Sequence, residues 1–340
     1  MQRQARILLI GGGGIGTIVA LNLERGAKAR VSAVLRSNFE TVTRFGYTIH
    51  SVDHGTLSGF RPGEILSAIP TVSDGVEPFD YIICTMKNTP DVTKPSLPEL
   101  IRPAVTTGRS TIVLVQNGLG IQDTMMEAFP SNVVLSGISL CGSTESSPGV
   151  IHQIVPDELL VGPFPATHRP DMQQYEERAI ASATDFVARY SASGKTSCHF
   201  DANVPMSRWK KLVYNATINP ICALTGLDAG EIRICPGLLD HLVRPAMREI
   251  LILANAHGYV LPDELMDEMI EGDPIELHVE PSMLVDKQRT QYLEVETLLG
   301  APIRAGRSLN IETPILNMLY YLCKGIQYKT QRMISERDKN

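Results

Sequence analysis

The sequence predicts an α/β protein in which an N-terminal doubly wound parallel sheet is followed by a mostly α-helical C-terminal domain. Three observations support this fold class. Short apolar runs alternate with helix-compatible segments in the first half, a glycine-rich turn follows the first of these runs, and long helical periodicity begins after about residue 201. Domains usually hold roughly 100 to 200 residues, so a chain of 340 residues has room for two.

The first half begins with a β-α-β unit. Residues 6–10 form a short apolar run typical of a strand buried on both faces, a helix-compatible stretch covers 17–25, and a second apolar run covers 29–35. Residues 50–78 are rich in Gly, Pro, Ser and Asp, which predicts an irregular or short-stranded insertion. Further strands are predicted at residues 81–85, 111–115 and 133–138.

The second half has the periodicity of helices. The last segment, 329–340, lacks an apolar face and predicts a solvated helix or tail. We therefore predict two domains, 1–202 and 203–340, of which the second is mostly helical. Its helices are predicted at residues 206–224, 238–257, 262–272, 283–299 and 314–328.

Composition narrows the classes of function. A formal net charge of −6 gives no electrostatic reason to expect a nucleic acid or an anionic membrane as partner. The six cysteines include no CxxC pair, which favours reduced thiols in a cytoplasmic protein over a disulfide framework. The eight histidines include no HExxH motif, so no metal site is expected.

The turn after the first strand carries a dinucleotide-binding pattern. Gly11, Gly13 and Gly16 follow a predicted strand and open a predicted helix, which is the context that gives a GxGxxG pattern its weight. Such glycines allow a tight turn, close approach of the backbone to a pyrophosphate and close helix packing, and the phosphate charge meets the helix N-terminus. We therefore expect a Rossmann-type cofactor site at this turn, which also contains Gly14 and Ile15.

The end of the second strand predicts which dinucleotide is bound. NAD-binding versions place an Asp or Glu about 20 residues after the glycines, where it repels a 2′-phosphate. Here Arg36 follows the strand, with Ser37 and Asn38 beside it as hydrogen-bond donors. NADPH is therefore the predicted cofactor, and a solvated surface arginine is the alternative explanation of Arg36.

A second polar pattern lies at the start of the helical half. Lys211, Asn215 and Asn219 are spaced four apart, which places them on one stripe of a predicted helix with apolar neighbours. A buried amide without a partner costs about 1 to 3 kcal/mol, so these side chains need either a ligand pocket or hydrogen bonds between domains. The pattern alone leaves both explanations open.

Several segments occur in a fixed order along the chain. They are the glycine turn at 10–16, Arg36, Thr85-Met86-Lys87, 116–120, 209–212 with Asn215 and Asn219-Pro220, 281–284 with Asp286, 293–296 with Gly300, and Glu312-Thr313-Pro314. In these segments the sequence resembles the ketopantoate reductase (2-dehydropantoate 2-reductase) family over nearly its whole length. Several matches in the same order are more specific than any single motif.

This resemblance implies NADPH-dependent reduction of 2-dehydropantoate to pantoate, a step of pantothenate and coenzyme A synthesis. By it, Lys211 would be the general acid that protonates the carbonyl oxygen, because a lysine ammonium both stabilises the developing alkoxide and can give up a proton. Glu294 would hydrogen-bond the substrate hydroxyl and help to hold Lys211. The remaining roles would be substrate orientation by Asn215, Asn219 and Ser282, and placement where nicotinamide and substrate meet by Asn117 and Lys87, with Lys87 also contacting the cofactor.

The sequence departs from the family pattern next to one of these residues. The family usually has threonine directly before the acidic residue, whereas Leu293 stands before Glu294 here. This departure leaves open another branched 2-oxo acid as the substrate. A non-catalytic NADPH-binding redox regulator is a third hypothesis, although Lys211 and Glu294 retain the groups that chemistry would need. Helical domains of this superfamily often provide dimer surfaces, so a homodimer is one expected assembly, which the sequence does not decide.

Overall fold

A computed structural model describes residues 3–73, 75–165 and 171–337. These residues form two compact units. The first unit holds the chain up to Lys87 with Pro95–Gln116 and Ile121–Val204, and the second holds Asn88–Lys94, Asn117–Gly120 and the chain from Pro205 onwards. The main change of unit at Val204 and Pro205 lies close to the predicted domain boundary, which itself stays a prediction.

The first unit is built on an eight-stranded sheet. In spatial order the strands are β12 (Ser197–Phe200), β11 (Glu158–Pro163), β8 (Val134–Ser139), β7 (Thr111–Leu114), β6 (Tyr81–Cys84), β1 (Ala5–Ile10), β2 (Ala29–Val34) and β5 (Glu64–Leu66). All neighbouring strands are parallel except β11 with β8. Because β1 lies inside the sheet with β2 on one side and β6 on the other, the chain winds in both directions from it, as the alternating pattern predicts.

Helices cover both faces of this sheet. Side chains alternate along a strand, so Ile7 and Leu9 of β1 enter one core while Leu8 and Ile10 enter another. All four are almost completely buried, which explains why β1 reads as a continuous apolar run. The helices of this unit are α1 (Gly14–Arg25), α2 (Phe39–Phe45), α3 (Leu97–Ile101), α4 (Asp123–Ala128) and α5 (Met172–Tyr190).

A second, four-stranded sheet belongs to the same unit. Its strands, in spatial order, are β4 (Gly55–Phe60), β3 (Tyr47–Ser51), β10 (Val150–Val155) and β9 (Gly142–Ser147). The parallel pairing of β3 with β10 joins segments that are about a hundred residues apart in sequence. Tyr47, Ile49 and Ile151 extend from these strands into the core that α1 shares. Residues 50–78 thus contain short strands, one of the two forms predicted for them.

The five strands predicted in the first half are confirmed as β1, β2, β6, β7 and β8. The strands from β9 to β12 were not predicted. Many of their residues are polar or partly exposed, so their sequences lack the buried apolar run that identified the others.

The second unit is helical around one hydrophobic core, as predicted. Two π-helical turns, Leu239–Val243 and Glu296–Gly300, lead directly into the helices that follow them. Its helices are α6 (Val204–Asn215), α7 (Ile218–Thr225), α8 (Ala229–Ile234), α9 (Arg244–Ala256), α10 (Leu265–Glu271), α11 (Ser282–Gln288), α12 (Ala301–Ser308) and α13 (Pro314–Arg337). The predicted tail therefore continues α13 to Arg337, and residues 338–340 lie outside the described part of the chain.

Two predicted helices are wrong in extent. The stretch 206–224 is interrupted between α6 and α7, because Pro220 has no N–H to donate and its ring disfavours a helical bond to the carbonyl of Ala216. The stretch 283–299 is also interrupted, since Thr290 has a φ of +55° that a helix does not tolerate. Lys211 and Asn215 therefore share α6, but Asn219 lies on α7.

Among the described residues, no helix combines the length and the apolar character needed to cross a membrane.

Candidate active site

The glycine turn lies at the carboxyl end of β1 and leads into α1. Gly11 has a φ of +109°, and a β-carbon there would lie 2.7 Å from the backbone nitrogen of Met86. At Gly16 a β-carbon would lie 1.9 Å from the carbonyl oxygen of Gly11. Both positions therefore require glycine, Gly11 for its conformation and both for close packing.

Nothing within the protein itself requires glycine at Gly13. Its φ of −77° is open to any residue, and a β-carbon built there would meet no atom within 4 Å. Gly13 is also the N-cap of α1 and supplies no side-chain cap to the first turn. Helix N-termini of this kind attract phosphate through their N–H groups and dipole. The open approach at Gly13 fits the pyrophosphate of a dinucleotide.

Buried donors hold the turn through the carbonyl of Gly12. This oxygen accepts hydrogen bonds from the Tyr47 hydroxyl at 3.0 Å and from the Asn38 amide at 2.9 Å. Burial raises the pKa of Tyr47 well above its usual range, so its hydroxyl keeps the proton that it donates. Asn38 is only 3% exposed and also donates to Glu145 at 2.7 Å. Asn38 therefore holds the turn, which differs from the phosphate contact expected for it.

The two basic residues predicted near the cofactor lie at this same edge of the sheet. Ile10, the last residue of β1, pairs with Val34 of β2 on one side and with Cys84 of β6 on the other. Arg36 comes two residues after β2 and Lys87 three residues after β6, and both side chains are exposed. Both residues therefore follow strands whose carboxyl ends lie beside the glycine turn, the edge where α/β sheets usually bind ligands. Ile15, in the turn itself, packs against the core of the first unit.

In the second unit, Lys211 of α6 belongs to a row of polar groups. The Lys211 ammonium donates to the Asn117 carbonyl oxygen at 2.9 Å, and the Asn117 amide nitrogen donates to Glu294 Oε2 at 3.3 Å. The other oxygen of Glu294 accepts the backbone N–H of Asn88 at 2.9 Å. Glu294 is only 3% exposed, so these donors replace the water that it would otherwise bind. Asn117 thus links the proposed acid to the buried carboxylate.

The loop that carries Asn117 is fixed to the helices of its unit. Arg208, a buried residue of α6, donates from its guanidinium to the Gly118 carbonyl at 2.8 Å, and the Leu119 N–H donates to Thr297 at 3.1 Å. Gly118 has a φ of +95°, and a β-carbon there would lie 2.5 Å from Thr297. Thr297 belongs to the π-helical turn that follows Glu294, and such turns are frequent at functional sites.

The three remaining substrate candidates are connected to one another. Asn219 donates to the Asn215 side-chain oxygen at 3.1 Å, and its own oxygen accepts the Met283 N–H at 3.1 Å and the Ser282 hydroxyl at 3.4 Å. Asn219 is 2% exposed, whereas Ser282 is exposed at the start of α11. The side chain of Asn219 therefore ties α6 and α11 to α7. A substrate would meet Ser282 more easily than Asn219.

Sequence reasoning missed the residues that support these groups. Tyr47, Glu145 and Asn88 act through backbone atoms or across strands that the sequence did not predict to be neighbours, so no motif marks them. Arg208 stands next to Trp209 in a recognised motif, and this position was the one available signal. In the described ranges, no group of three or more His, Cys, Asp or Glu is placed to hold a metal ion.

The glycine turn can bind a dinucleotide, and the lysine of the second unit can donate a proton to a carbonyl oxygen. Together with the sheet topology, these features are typical of an oxidoreductase that uses a nicotinamide cofactor. Comparisons with known proteins give the family. Residues 7–166 match the model described as ketopantoate reductase PanE/ApbA, and residues 203–327 match the model of its C-terminal part. The chain belongs to the ketopantoate reductase family, whose members act on a CH–OH group.

Individual relatives cover nearly the whole chain. An uncharacterized protein of Saccharomyces cerevisiae is 37% identical over 96% of this chain and 94% of its own. The crystal structure of 2-dehydropantoate 2-reductase from Methylococcus capsulatus has 30% identity and a TM-score of 0.76, and the match covers 96% of this chain and 97% of that one. The ternary structure of D-mandelate dehydrogenase with NADH and anilino(oxo)acetate has a TM-score of 0.78 at 18% identity, over 96% of this chain and 99% of that one, and shares the fold.

Proposed function

We propose that the protein reduces 2-dehydropantoate to pantoate with NADPH. The observation that carries this proposal is the hydrogen-bonded row of Lys211, Asn117 and Glu294, because it combines a proton donor with a fixed carboxylate in a chain of the ketopantoate reductase family. The reaction would place the protein in pantothenate and coenzyme A synthesis, in the cytoplasm, with a small 2-oxo acid as its partner and neither nucleic acid nor membrane.

The residues of this chain would divide the reduction among them. Gly11, Gly13 and Gly16 would hold NADPH, which would supply a hydride to the carbonyl carbon. The Lys211 ammonium stabilises the charge that develops on the carbonyl oxygen and gives that oxygen a proton, so the ketone becomes an alcohol. Glu294 accepts a hydrogen bond from the substrate hydroxyl. Asn117 holds the side chains of Lys211 and Glu294 in fixed positions relative to each other through its two hydrogen bonds.

Substrate orientation falls to the second polar group. Ser282, being exposed, and Asn215 would bind the carboxylate and hydroxyl groups of the substrate, and Asn219 would contribute by holding both side chains. Lys87 would lie near the nicotinamide and its ribose. Such positioning lowers the barrier because the reacting groups are already aligned when the substrate binds.

The preference for NADPH over NADH is attributed to Arg36. Its exposed guanidinium, with Ser37 beside it, stands at the end of β2, and no acidic residue occupies the positions directly after that strand. Arg36→Ala should raise the KM for NADPH by about tenfold or more, since a charge-assisted contact contributes roughly 1.5 to 3 kcal/mol, while the KM for NADH changes little. An unchanged preference for NADPH would contradict the assignment.

A second candidate substrate is another branched 2-oxo acid. Leu293, which replaces the usual threonine before Glu294, favours this alternative, because its fully buried side chain lacks the hydroxyl of threonine. The fold shared with D-mandelate dehydrogenase is compatible with a different 2-oxo acid. A non-catalytic NADPH-binding redox regulator would keep the glycine turn and need none of the Lys211 row.

One assay separates these functions. NADPH oxidation is followed by absorbance with 2-dehydropantoate beside a panel of branched and aryl 2-oxo acids, and the series is repeated with NADH. Turnover that favours 2-dehydropantoate over the panel is the expected result. If a different 2-oxo acid is turned over preferentially, that acid replaces 2-dehydropantoate as the proposed substrate. NADPH binding without any turnover would reject the enzyme hypothesis in favour of the redox regulator.

We also propose a homodimer, in which a second copy of the chain covers the outward face of α13. This face carries Met318, Tyr321, Leu322 and Tyr328, each at least half exposed, and contiguous exposed apolar groups commonly mark protein–protein contacts. A β-carbon at Gly325, in the middle of the same face, would meet no atom within 4 Å, so a second helix could approach closely there.

A further inference from the structure

Gln327 stands where the pattern of α13 calls for an apolar side chain. The buried face of this helix carries Leu316, Leu319 and Cys323 before it, and Gln327 itself is only 2% exposed. A buried amide without a partner is costly, and a polar residue at a core position of a helix asks for a specific reason. The contacts of the amide supply that reason.

Both ends of the amide bind one residue. Gln327 Oε1 accepts the backbone N–H of Leu293 at 2.9 Å, and Gln327 Nε2 donates to the backbone carbonyl of Leu293 at 3.0 Å. Residues 291–294 lie in neither a helix nor a strand, so their backbone lacks the regular hydrogen bonds that would fix it. The amide therefore acts as a short β-like partner for a single residue of an otherwise irregular segment.

The residue fixed in this way directly precedes Glu294. Leu293 is fully buried, so water cannot replace the hydrogen bonds of its backbone groups if the Gln327 amide is removed. Glu294 is one peptide bond further on and must place its two oxygens on Asn88 N–H and the Asn117 amide. A displacement of the Leu293 backbone moves the Glu294 carboxylate with it.

We propose that Gln327 is a positioning residue for Glu294, which it fixes through the backbone of Leu293. This inference rests on the proposed role of Glu294 toward the 2-oxo acid. It concerns the substrate and not the cofactor, because the glycine turn and Arg36 belong to the first unit of the chain. The amide of Gln327 is therefore expected to change how well the 2-oxo acid is held and to leave NADPH binding as it is.

The test compares two variants of the full-length protein. Gln327→Met keeps the length of the side chain and removes both hydrogen bonds. Cys323→Ala alters the same buried face one turn earlier and leaves Leu293 its partner. Residues that orient metal ligands without touching the metal change activity about 10- to 100-fold when they are replaced, and Gln327 holds Glu294 in a comparably indirect way. We expect Gln327→Met to lower kcat/KM for the 2-oxo acid within that range, with a raised KM, and to leave the dissociation constant of NADPH within about twofold of wild type.

A merely structural role predicts a different outcome. If Gln327→Met only reduced the fraction of folded protein, kcat would fall for every substrate and KM would not rise. Cys323→Ala would then lose as much activity as Gln327→Met whenever the two variants have the same thermal stability. Gln327→Glu gives a rescue experiment, since a protonated carboxyl can both accept from and donate to Leu293 as the amide does. Its activity relative to wild type should rise as the pH is lowered. A Gln327→Met protein with wild-type KM and kcat overturns the inference.

Amide hydrogen exchange separates this inference from the proposed function. The Leu293 N–H is covered by Gln327 and the Asn88 N–H by Glu294, so both should exchange faster in Gln327→Met and keep their rates in Cys323→Ala. If wild-type protein reduces no 2-oxo acid, the proposed function fails while exchange still reports the position of Glu294. Unchanged exchange at Asn88 in Gln327→Met overturns the positioning role whatever the activity shows.

Discussion

Two adjacent lysines of α6 offer a matched comparison at the scale of single residues. Lys211 donates to Asn117, which in turn donates to Glu294, whereas Lys210 is half-exposed and lies 3.7 Å from Glu268. Neighbouring residues of a helix point about 100 degrees apart, so the two ammonium groups face different surroundings. An exposed ion pair such as that of Lys210 contributes at most about 1 kcal/mol.

Lys211→Ala should therefore lower kcat by about a hundredfold or more while NADPH still binds, because it removes the proposed proton donor to the carbonyl oxygen. Lys210→Ala should retain kcat within about twofold. Steady-state kinetics with the reduced cofactor monitored by absorbance, and cofactor binding by fluorescence, measure both quantities. Equal losses in the two variants would show that Lys211 is not the acid.

Substitutions at two glycines of the glycine turn distinguish an effect on ligand binding from an effect on packing. Gly13 has an ordinary φ and open space around it, so Gly13→Ala should fold normally and weaken NADPH binding by at least about tenfold, because the new methyl group meets the pyrophosphate. Gly16→Ala would clash with the Gly11 carbonyl and should lower the thermal stability itself. Thermal unfolding with and without NADPH distinguishes the two. A Gly13→Ala protein that binds NADPH as wild type does would place the pyrophosphate elsewhere.

At the scale of elements, the N-terminus of α8 shows how a charge stabilises a helix. Asp228 is its N-cap, accepts the Glu231 N–H at 2.8 Å and lies 2.9 Å from the His278 ring. Burial raises the pKa of Asp228, but these hydrogen bonds outweigh burial and leave the pKa below its usual value. A carboxylate with a lowered pKa stabilises the fold above the pKa of the unfolded chain, and that stabilisation is lost as the pH falls through the folded value.

Asp228→Asn keeps a capping side chain and removes the charge. We expect it to lower the free energy of unfolding by about 0.5 to 1 kcal/mol at pH 7, and the difference from wild type to disappear as the pH falls below about 4. Denaturant unfolding at a series of pH values measures this difference. A difference that is constant with pH would mean that the charge of Asp228 does not stabilise α8.

The elements also show what the sequence could and could not predict. Strands β1, β2, β6, β7 and β8 of the main sheet were predictable because almost all of their residues are buried. The C-terminal ends of α6 and α11 were not predictable, because Pro220 and Thr290 interrupt stretches in which the apolar periodicity continues. Apolar periodicity indicates which face of a segment is buried, but it does not reveal a break in the helix at a single residue.

The candidate site was also predictable from the sequence only in part. Lys211, Asn117 and Glu294 were predicted from motifs, and the structure brings them within hydrogen-bond distance of one another. Ser282, predicted to orient the substrate, is the first residue of α11 and follows the N-cap Pro281. Gln327 and Asn88 could not be predicted, because they act on the site through backbone atoms of distant segments.

At the scale of the whole molecule, the outward face of α13 decides the proposed assembly. Tyr321→Glu places a charge in the middle of this apolar face and should convert the dimer to a monomer, since an unpaired charge does not tolerate burial in an interface. Gln331→Glu adds the same charge elsewhere on α13 and should leave the dimer intact. Light scattering after size-exclusion chromatography gives the masses. A wild-type protein that is monomeric at micromolar concentration would reject the dimer.

The loop from Asn117 to Gly120 is packed into the helical unit although the chain on both sides of it belongs to the first unit. Asn117 and Glu294 are 177 residues apart, and a ribosome that adds about 5 to 20 residues per second needs roughly 10 to 35 s to make that length. All the strands of both sheets are synthesised before Glu294, so the first unit can begin to fold while this loop still has no partner. The row of Lys211, Asn117 and Glu294 is therefore among the last contacts to form during biosynthesis, and a chain truncated between Pro205 and Glu294 would contain the first unit without this row.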